Sequence, residues 1–163
     1  MVVKKPNPKN AAPRAKDALR GELLLLKVAK RLEQYLGTRF HGLHKSSLSR
    51  FDVLANLDKA AGVSLSTSQL AAQLIASSGN ITRLLDRMEQ DGLVSRRQHA
   101  VDRRVSDVTL TEAGRRKFRE AAADHELWMS EVFDALSDAE ASQLIRLLGK
   151  IRVRMDAMLE PGS

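Results

Sequence analysis

The 163-residue chain contains no cysteine, a single tryptophan, and no apolar run longer than Leu23–Leu26. Without thiols it has no disulfide, no thiolate metal site and no cysteine redox sensor, which agrees with a reducing compartment. A bilayer-spanning helix takes about 20 apolar residues, so no membrane segment is expected. No apolar stretch follows the basic residues at the N-terminus, so no signal peptide is expected and a cytoplasmic location is. The P-loop, the glycine-rich dinucleotide turn, the G-x-S-x-G elbow and the H-E-x-x-H helix are all missing, which argues against an enzyme. Of the four histidines only His41 and His44 lie close in sequence, and no third and fourth ligands surround them. We therefore expect no metal site and no cofactor. There is no internal repeat.

The composition is that of a globular domain, with 43% hydrophobic and 29% charged residues. The formal net charge is +7 and the isoelectric point about 10.0. Excess Lys and Arg favour polyanions, because neutralised phosphates release condensed counterions. The same excess also serves as a solvated surface kept for solubility. The location of the charge separates the two readings better than its total.

Residues 1–16 carry Pro6, Pro8 and Pro13 among Lys4, Lys5, Lys9, Arg14 and Lys16, without periodicity. They read as a flexible basic arm, a solubilising tail or a segment that touches phosphates. From about 17 to 36 Leu19, Leu23, Leu26, Leu32 and Leu36 recur at helical intervals, and Leu24, Leu25 and Val28 widen the apolar surface. Gly37 is the expected stop, with a loop or short helix over 38–46. The next helix starts near Leu48, with Ser49 as its expected N-cap and Asp52 three residues on. Gly62 closes it. Ser66 with Gln69 caps a short helix, and a further helix runs from about Asn80 to Gln90. Beyond Asp91-Gly92 the period changes: 93–98 and 105–110 read as two strands joined by a loop over 99–104. Thr111 then caps a long helix. Ser137 and Glu140 form a capping box for the last one, whose Leu144, Leu147, Leu148, Ile151, Met155 and Met158 approach a heptad seam.

A short helix, a tight turn, a second helix and an immediate hairpin form the order of a winged helix-turn-helix, in which the second helix enters the DNA major groove. The fold class expected is mainly α (an α+β winged helix). In the second helix Ile81, Leu84, Leu85 and Met88 mark a core face. Arg83 points away from it, and Thr82 and Arg87 flank it. Ser78, Gly79 and Asn80 occupy the N-terminal end, whose free amides favour phosphate. Asn pairs bidentately with adenine and Arg with guanine. An ordinary mixed-charge surface helix is the competing reading, supported by Asp86 and Glu89. At the expected hairpin tip Arg103 and Arg104 suit a narrow minor groove. Asp102 repels phosphate, so it suits pairing with a neighbouring Arg to stiffen the tip.

Taken in order, Leu48-Ser49-Arg50-Phe51, Gln69-Leu70-Ala71, Ile81 to Glu89, Gly92-Leu93-Val94, Arg97, Asp102-Arg103-Arg104 and Leu110 to Gly114 closely resemble the MarR family. The spacing between the blocks matches as well. His99 and Ala100 stand where Asp-Pro is common in that family. The resemblance implies one domain over 17–163, with a winged helix-turn-helix lobe at about 47–112. Dimerisation helices at about 17–36 and 112–160 flank that lobe. It also implies a homodimer on a palindromic double-stranded DNA operator. Ser78, Asn80, Thr82, Arg83 and Arg87 would then face the major groove, and Arg104 the minor groove. Many members of the family release DNA on binding aromatic carboxylates or phenols. Here Arg39, His41, His44 and Phe51 are the candidate ligand residues, although all four also suit helix-end or surface roles. Trp128 is assigned to interface packing. The leading reading is a ligand-responsive repressor; an architectural or weakly specific DNA binder without an effector is the alternative.

Overall fold

Residues 14–74, 78–98 and 106–159 are described by the computed structural model. Of the basic arm expected over 1–16, residues 14–16 are instead the first turn of a helix, while residues 1–13 and the hairpin tip at 99–105, with Asp102, Arg103 and Arg104, lie outside the described residues. Contacts divide the chain into two units, 1–118 and 119–163.

Helix α1 spans Arg14–His44 as one rod of 31 residues, about 46 Å long at 1.5 Å per residue. Gly37 does not stop it, and 38–44 is helix rather than loop. Leu36 and Phe40, both buried, flank the glycine and anchor the helix on either side of it. Tertiary packing thus outweighs the low helix propensity of one glycine. The helix ends where Lys45 turns to φ 48 and the Ser46 amide donates to the Phe40 carbonyl at 3.2 Å.

Helix α2 covers Leu48–Lys59. Its N-cap is Ser47, not Ser49: Ser47 is extended at φ −118, ψ 157 and its side chain accepts from the Arg50 amide at 3.3 Å. Strand β1 (Leu65–Ser66), which no alternation in the sequence announces, precedes α3 (Thr67–Gln73). Ser66 and Gln69 cap α3 reciprocally, as expected. Helix α4 runs over Ser78–Gln90, two residues earlier than expected. Strands β2 (Val94–Gln98) and β3 (Ser106–Leu110) follow. The sheet order is β1-β3-β2, all antiparallel, with Leu65 opposite Val108 and Val94 opposite Leu110. β2 is therefore an edge strand.

Val53, Leu54, Leu57, Leu70, Ile81, Leu85, Met88, Val94 and Val108 form one core that joins α2, α3, α4 and the sheet. A second cluster is aromatic: Phe51 stacks on Phe40 at 4.6 Å between centroids and lies 5.7 Å from Phe118 of α5 (Glu112–Phe133). The start of α5 is tied back to the turn after α4. Thr111 Oγ1 donates to the Gly92 carbonyl at 2.6 Å and accepts from the Gly114 amide at 3.0 Å.

Helix α6 (Asp138–Leu159) opens on the expected capping box, in which the Ser137 amide and hydroxyl both donate to Glu140. Those bonds hold the Glu140 carboxyl below its ordinary range. None of the α6 residues is buried in the single chain. Among the described residues no helix is long and apolar enough to cross a membrane, and no group of three or more His, Cys, Asp or Glu is placed to hold a metal.

Candidate nucleic-acid interface

The sequence of α4 separates two faces, and burial follows them. Ile81, Leu85 and Met88 are at most 3% exposed, whereas Asn80, Thr82, Arg83 and Arg87 are exposed. At 100° per residue Arg83 sits opposite the buried face, Asn80 and Arg87 lie to one side of it, and Asp86 and Glu89 to the other. Ser78 opens the helix in the backbone; its side chain is outside the described set.

The Arg83 side chain runs back toward the helix N-terminus, as long helical side chains do. Its Nη2 donates to Asn80 Oδ1 at 3.1 Å and its Nε to the Gly79 carbonyl at 3.4 Å. Both bonds are solvent-exposed and neutral on the acceptor side, so they exchange easily for an acceptor of another molecule. Asn80 and Arg83 are thereby presented together at the end of α4 where free amides concentrate.

On the opposite flank the structure settles what Asp86 and Glu89 do. Arg96, in the middle of β2, donates from Nε to Glu89 at 2.8 Å and from Nη2 to Asp86 at 2.6 Å. The Arg96 backbone amide also donates to Glu89 Oε1, at 3.1 Å. The Glu89 and Asp86 carboxylates raise the Arg96 pKa further, against a smaller opposing effect of burial. The acidic pair that favoured an ordinary surface helix is thus engaged in holding the hairpin. A second ion pair joins Arg50, in the first turn of α2, to Asp91 in the turn after α4.

Between the start of α2 and α4 lies a groove of about 460 Å³, lined by Ser47, Ser49, Asp52, Leu84, Arg83 and Arg87 among others. Burial raises the Asp52 pKa, since the charged carboxylate loses hydration. A raised folded-state pKa makes ionised Asp52 a cost: stability is greatest below the unfolded value of about 3.9 and falls as pH rises through the folded one. Asp52→Asn is therefore expected to stabilise the protein at neutral pH, with the gain vanishing as the pH falls toward the unfolded value. Thermal melts of both proteins across that range check the sign.

The candidate ligand residues share the α1–α2 junction. The Arg39 guanidinium lies 5.1 Å from the Tyr35 ring centroid, and the His44 ring lies 6.0 Å from Phe40. His41 is exposed, and Phe51 is 7% exposed within the aromatic cluster. Trp128, assigned to an interface by its sequence, is already 4% exposed in the single chain.

A helix pair whose second member offers Asn and Arg outward over a buried apolar face, braced against an antiparallel hairpin, defines the winged helix-turn-helix class. A profile of the MarR family matches residues 46–106. The HTH-type transcriptional repressor YetL of Bacillus subtilis is 30% identical over 133 residues, covering 82% of this chain and 79% of that protein. The chain belongs to the MarR family, a family of transcription regulators rather than enzymes. Among solved structures, the transcriptional regulator BldR of Sulfolobus solfataricus superposes with a TM-score of 0.78 at 24% identity, over 86% of this chain and 97% of that one. A mutant MarR of Escherichia coli complexed with operator DNA gives 0.70 at 23%, over 78% and 90%. At those identities the two structures speak for the fold.

Proposed function

We propose that the chain is a sequence-specific regulator in the cytoplasm that binds a palindromic double-stranded DNA operator as a homodimer and represses from it. The observation that carries this reading is the exposed row Asn80, Thr82, Arg83 and Arg87 on α4, backed by a buried Ile81, Leu85 and Met88. Ser78 joins that row by its place in the sequence. Arg103 and Arg104 are the proposed minor-groove residues and Asp102 the residue that stiffens their loop. The domain division follows the same reading, with the 47–112 lobe on DNA and the flanking helices making the dimer. Repression is supported by the likeness to YetL, a transcriptional repressor, and the net charge of +7 suits a phosphate-rich partner.

Dimerisation is supported by apolar surface that the single chain leaves uncovered. From Lys16 to Arg31 every side chain of α1 is exposed, including Leu19, Leu23, Leu24, Leu25, Leu26 and Val28. Ile145, Leu147, Leu148, Ile151, Val153, Met155 and Met158 are exposed on α6. Apolar surface of this extent marks an interaction site.

Arg83 separates reading from positioning. Arg83→Ala is expected to cost about 1–3 kcal/mol on the preferred site and to flatten base preference near the centre of each half-site. Titrations on operator variants measure both. Equal losses on specific and random duplexes would reduce Arg83 to a backbone contact.

The same reading includes an effector, a small aromatic carboxylate or phenol held near Arg39, His41, His44 and Phe51. Its support is a half-buried guanidinium and imidazole beside an aromatic cluster. Thermal shift across a panel of aromatic acids is expected to give hits that lower operator affinity in proportion, because only a ligand with unequal affinity for the two states shifts them. Hits that survive Arg39→Ala would move the pocket elsewhere.

A further inference from the structure

We propose that Arg96 is a positioning residue: gripped by Glu89 and Asp86, it locks the outer strand of the hairpin to α4, so that helix and hairpin meet DNA as one rigid reader. The proposal rests on the DNA-binding reading above and extends it to residues that reading leaves unassigned.

The geometry is that of a clamp rather than of a chance surface pair. Glu89 receives two bonds from the same residue, one from the Arg96 guanidinium and one from its backbone amide, at 2.8 and 3.1 Å. A side-chain bond alone would leave the strand free to slide along the helix, whereas the amide bond fixes its register as well. β2 pairs with β3 on one side only, so the Glu89 carboxylate takes an edge amide that no strand satisfies. Asp86 holds the guanidinium from a second direction, at 2.6 Å and one helical turn away. The Arg96 side chain retains 23% of its exposure and the two acids 44% and 39%. Partial burial and a shared cation make such a network stronger than an isolated exposed pair.

The placement also sorts the charges of α4. Asp86 and Glu89 are drawn to the hairpin flank, leaving Asn80, Arg83 and Arg87 on the side and front. Two carboxylates on a helix that approaches phosphates would be unfavourable if loose. Here each is turned toward a cation of the same chain, so the outward field of α4 is set by its arginines. The clamp thus has two consequences, a fixed angle between helix and hairpin and a positive front.

The test compares the wild-type chain with Glu89→Met, Arg96→Met and the exchanged pair Glu89→Arg with Arg96→Glu. Protection footprints on the selected operator read central and flanking positions separately. The single variants are expected to keep central protection and central base preference, to lose flanking protection, and to bind about tenfold more weakly, the size of one lost contact. The exchanged pair rebuilds the ion pair between helix and strand, but arginine at position 89 offers no acceptor to the residue-96 amide, so it is expected to recover the flanks only in part. Hydrogen exchange on the free protein gives a readout that needs no DNA: the Arg96 amide of β2 should exchange faster in Glu89→Met, which has no oxygen to accept it, while the amides of α4 keep their protection. Central and flanking protection lost together, in step with melting temperature and without rescue, would make the triad a fold brace only and overturn the proposal. Unchanged β2 exchange would overturn the clamp itself. A wild-type protein with no footprint at all would overturn the DNA reading, and this outcome is visible before any variant is made.

Discussion

Gly114→Ala is expected to destabilise the protein by about 3 kcal/mol, the upper range for overpacking a filled site, and to lower its melting temperature by roughly 10 °C for a chain of this size. A Cβ at this position would sit 2.0 Å from the Leu93 carbonyl oxygen and 3.2 Å from a Leu110 methyl. The first obstacle is backbone and cannot rotate away. Relief requires moving either the first turn of α5 or the turn that leads from α4 into β2. Either movement breaks the Thr111 hydroxyl bonds to Gly92 and Leu93, which tie the two together. The effect should reach DNA binding as well, because the displaced turn carries α4 into the hairpin. Gly37→Ala is the control. Nothing lies within 4 Å of a Cβ there, and alanine in a helix interior is worth about 0.5–1 kcal/mol over glycine. Paired melts of the two variants should therefore move in opposite directions; equal small shifts would mean that the turn and α5 do not approach as closely as described.

Ile151→Asp is the second large effect. In the single chain this side chain is 49% exposed, midway along a helix that buries nothing. If the chain worked as a monomer, an acidic residue there would change little. In a dimer sealed by this face, an unpaired carboxylate must enter apolar surface, which is strongly unfavourable. We expect the variant to be monomeric at micromolar concentration. Operator affinity should then fall by about 100-fold or more, because two linked half-site contacts become independent ones. Val63→Asp, at a residue 67% exposed between α2 and β1, should leave both mass and binding unchanged. Light scattering and operator titration on the two variants decide the matter, and a dimeric Ile151→Asp would place the interface elsewhere.

Much of this arrangement is legible in the sequence because it is written in short-range rules. The capping boxes at Ser66 and Ser137, the core stripe of α4 and the change of period after Gly92 are local patterns, and the fold obeys each one. The misreadings arise where distant contacts override local preference. Gly37 looks like a stop until Leu36 and Phe40 are seen buried on either side of it. Ser49 is as good a cap as Ser47 by residue type, and only the turn at Lys45 decides between them. β1, two residues long, has no room for a period and exists through its pairing with β3. Within the site, the outward residues of α4 follow from helical geometry alone. The role of Asp86 and Glu89 does not, since their partner lies on another element. The usable signal was present all the same: two acids three residues apart, followed within a few residues by an arginine at mid-strand. Arg39, His41, His44 and Phe51 are neighbours in the fold as in the sequence, but aromatic packing takes up Phe51, which residue type alone does not reveal.

Specific recognition by a symmetric dimer can be read from the sequences that the purified full chain selects out of random duplex DNA. We expect enrichment of a pseudo-palindrome whose half-sites are about 10 bp apart, one turn of the double helix. Arg83→Ala is further expected to erase the central positions of each half-site from the consensus. Recovery of an unenriched pool, or of a single unrepeated half-site, would contradict it.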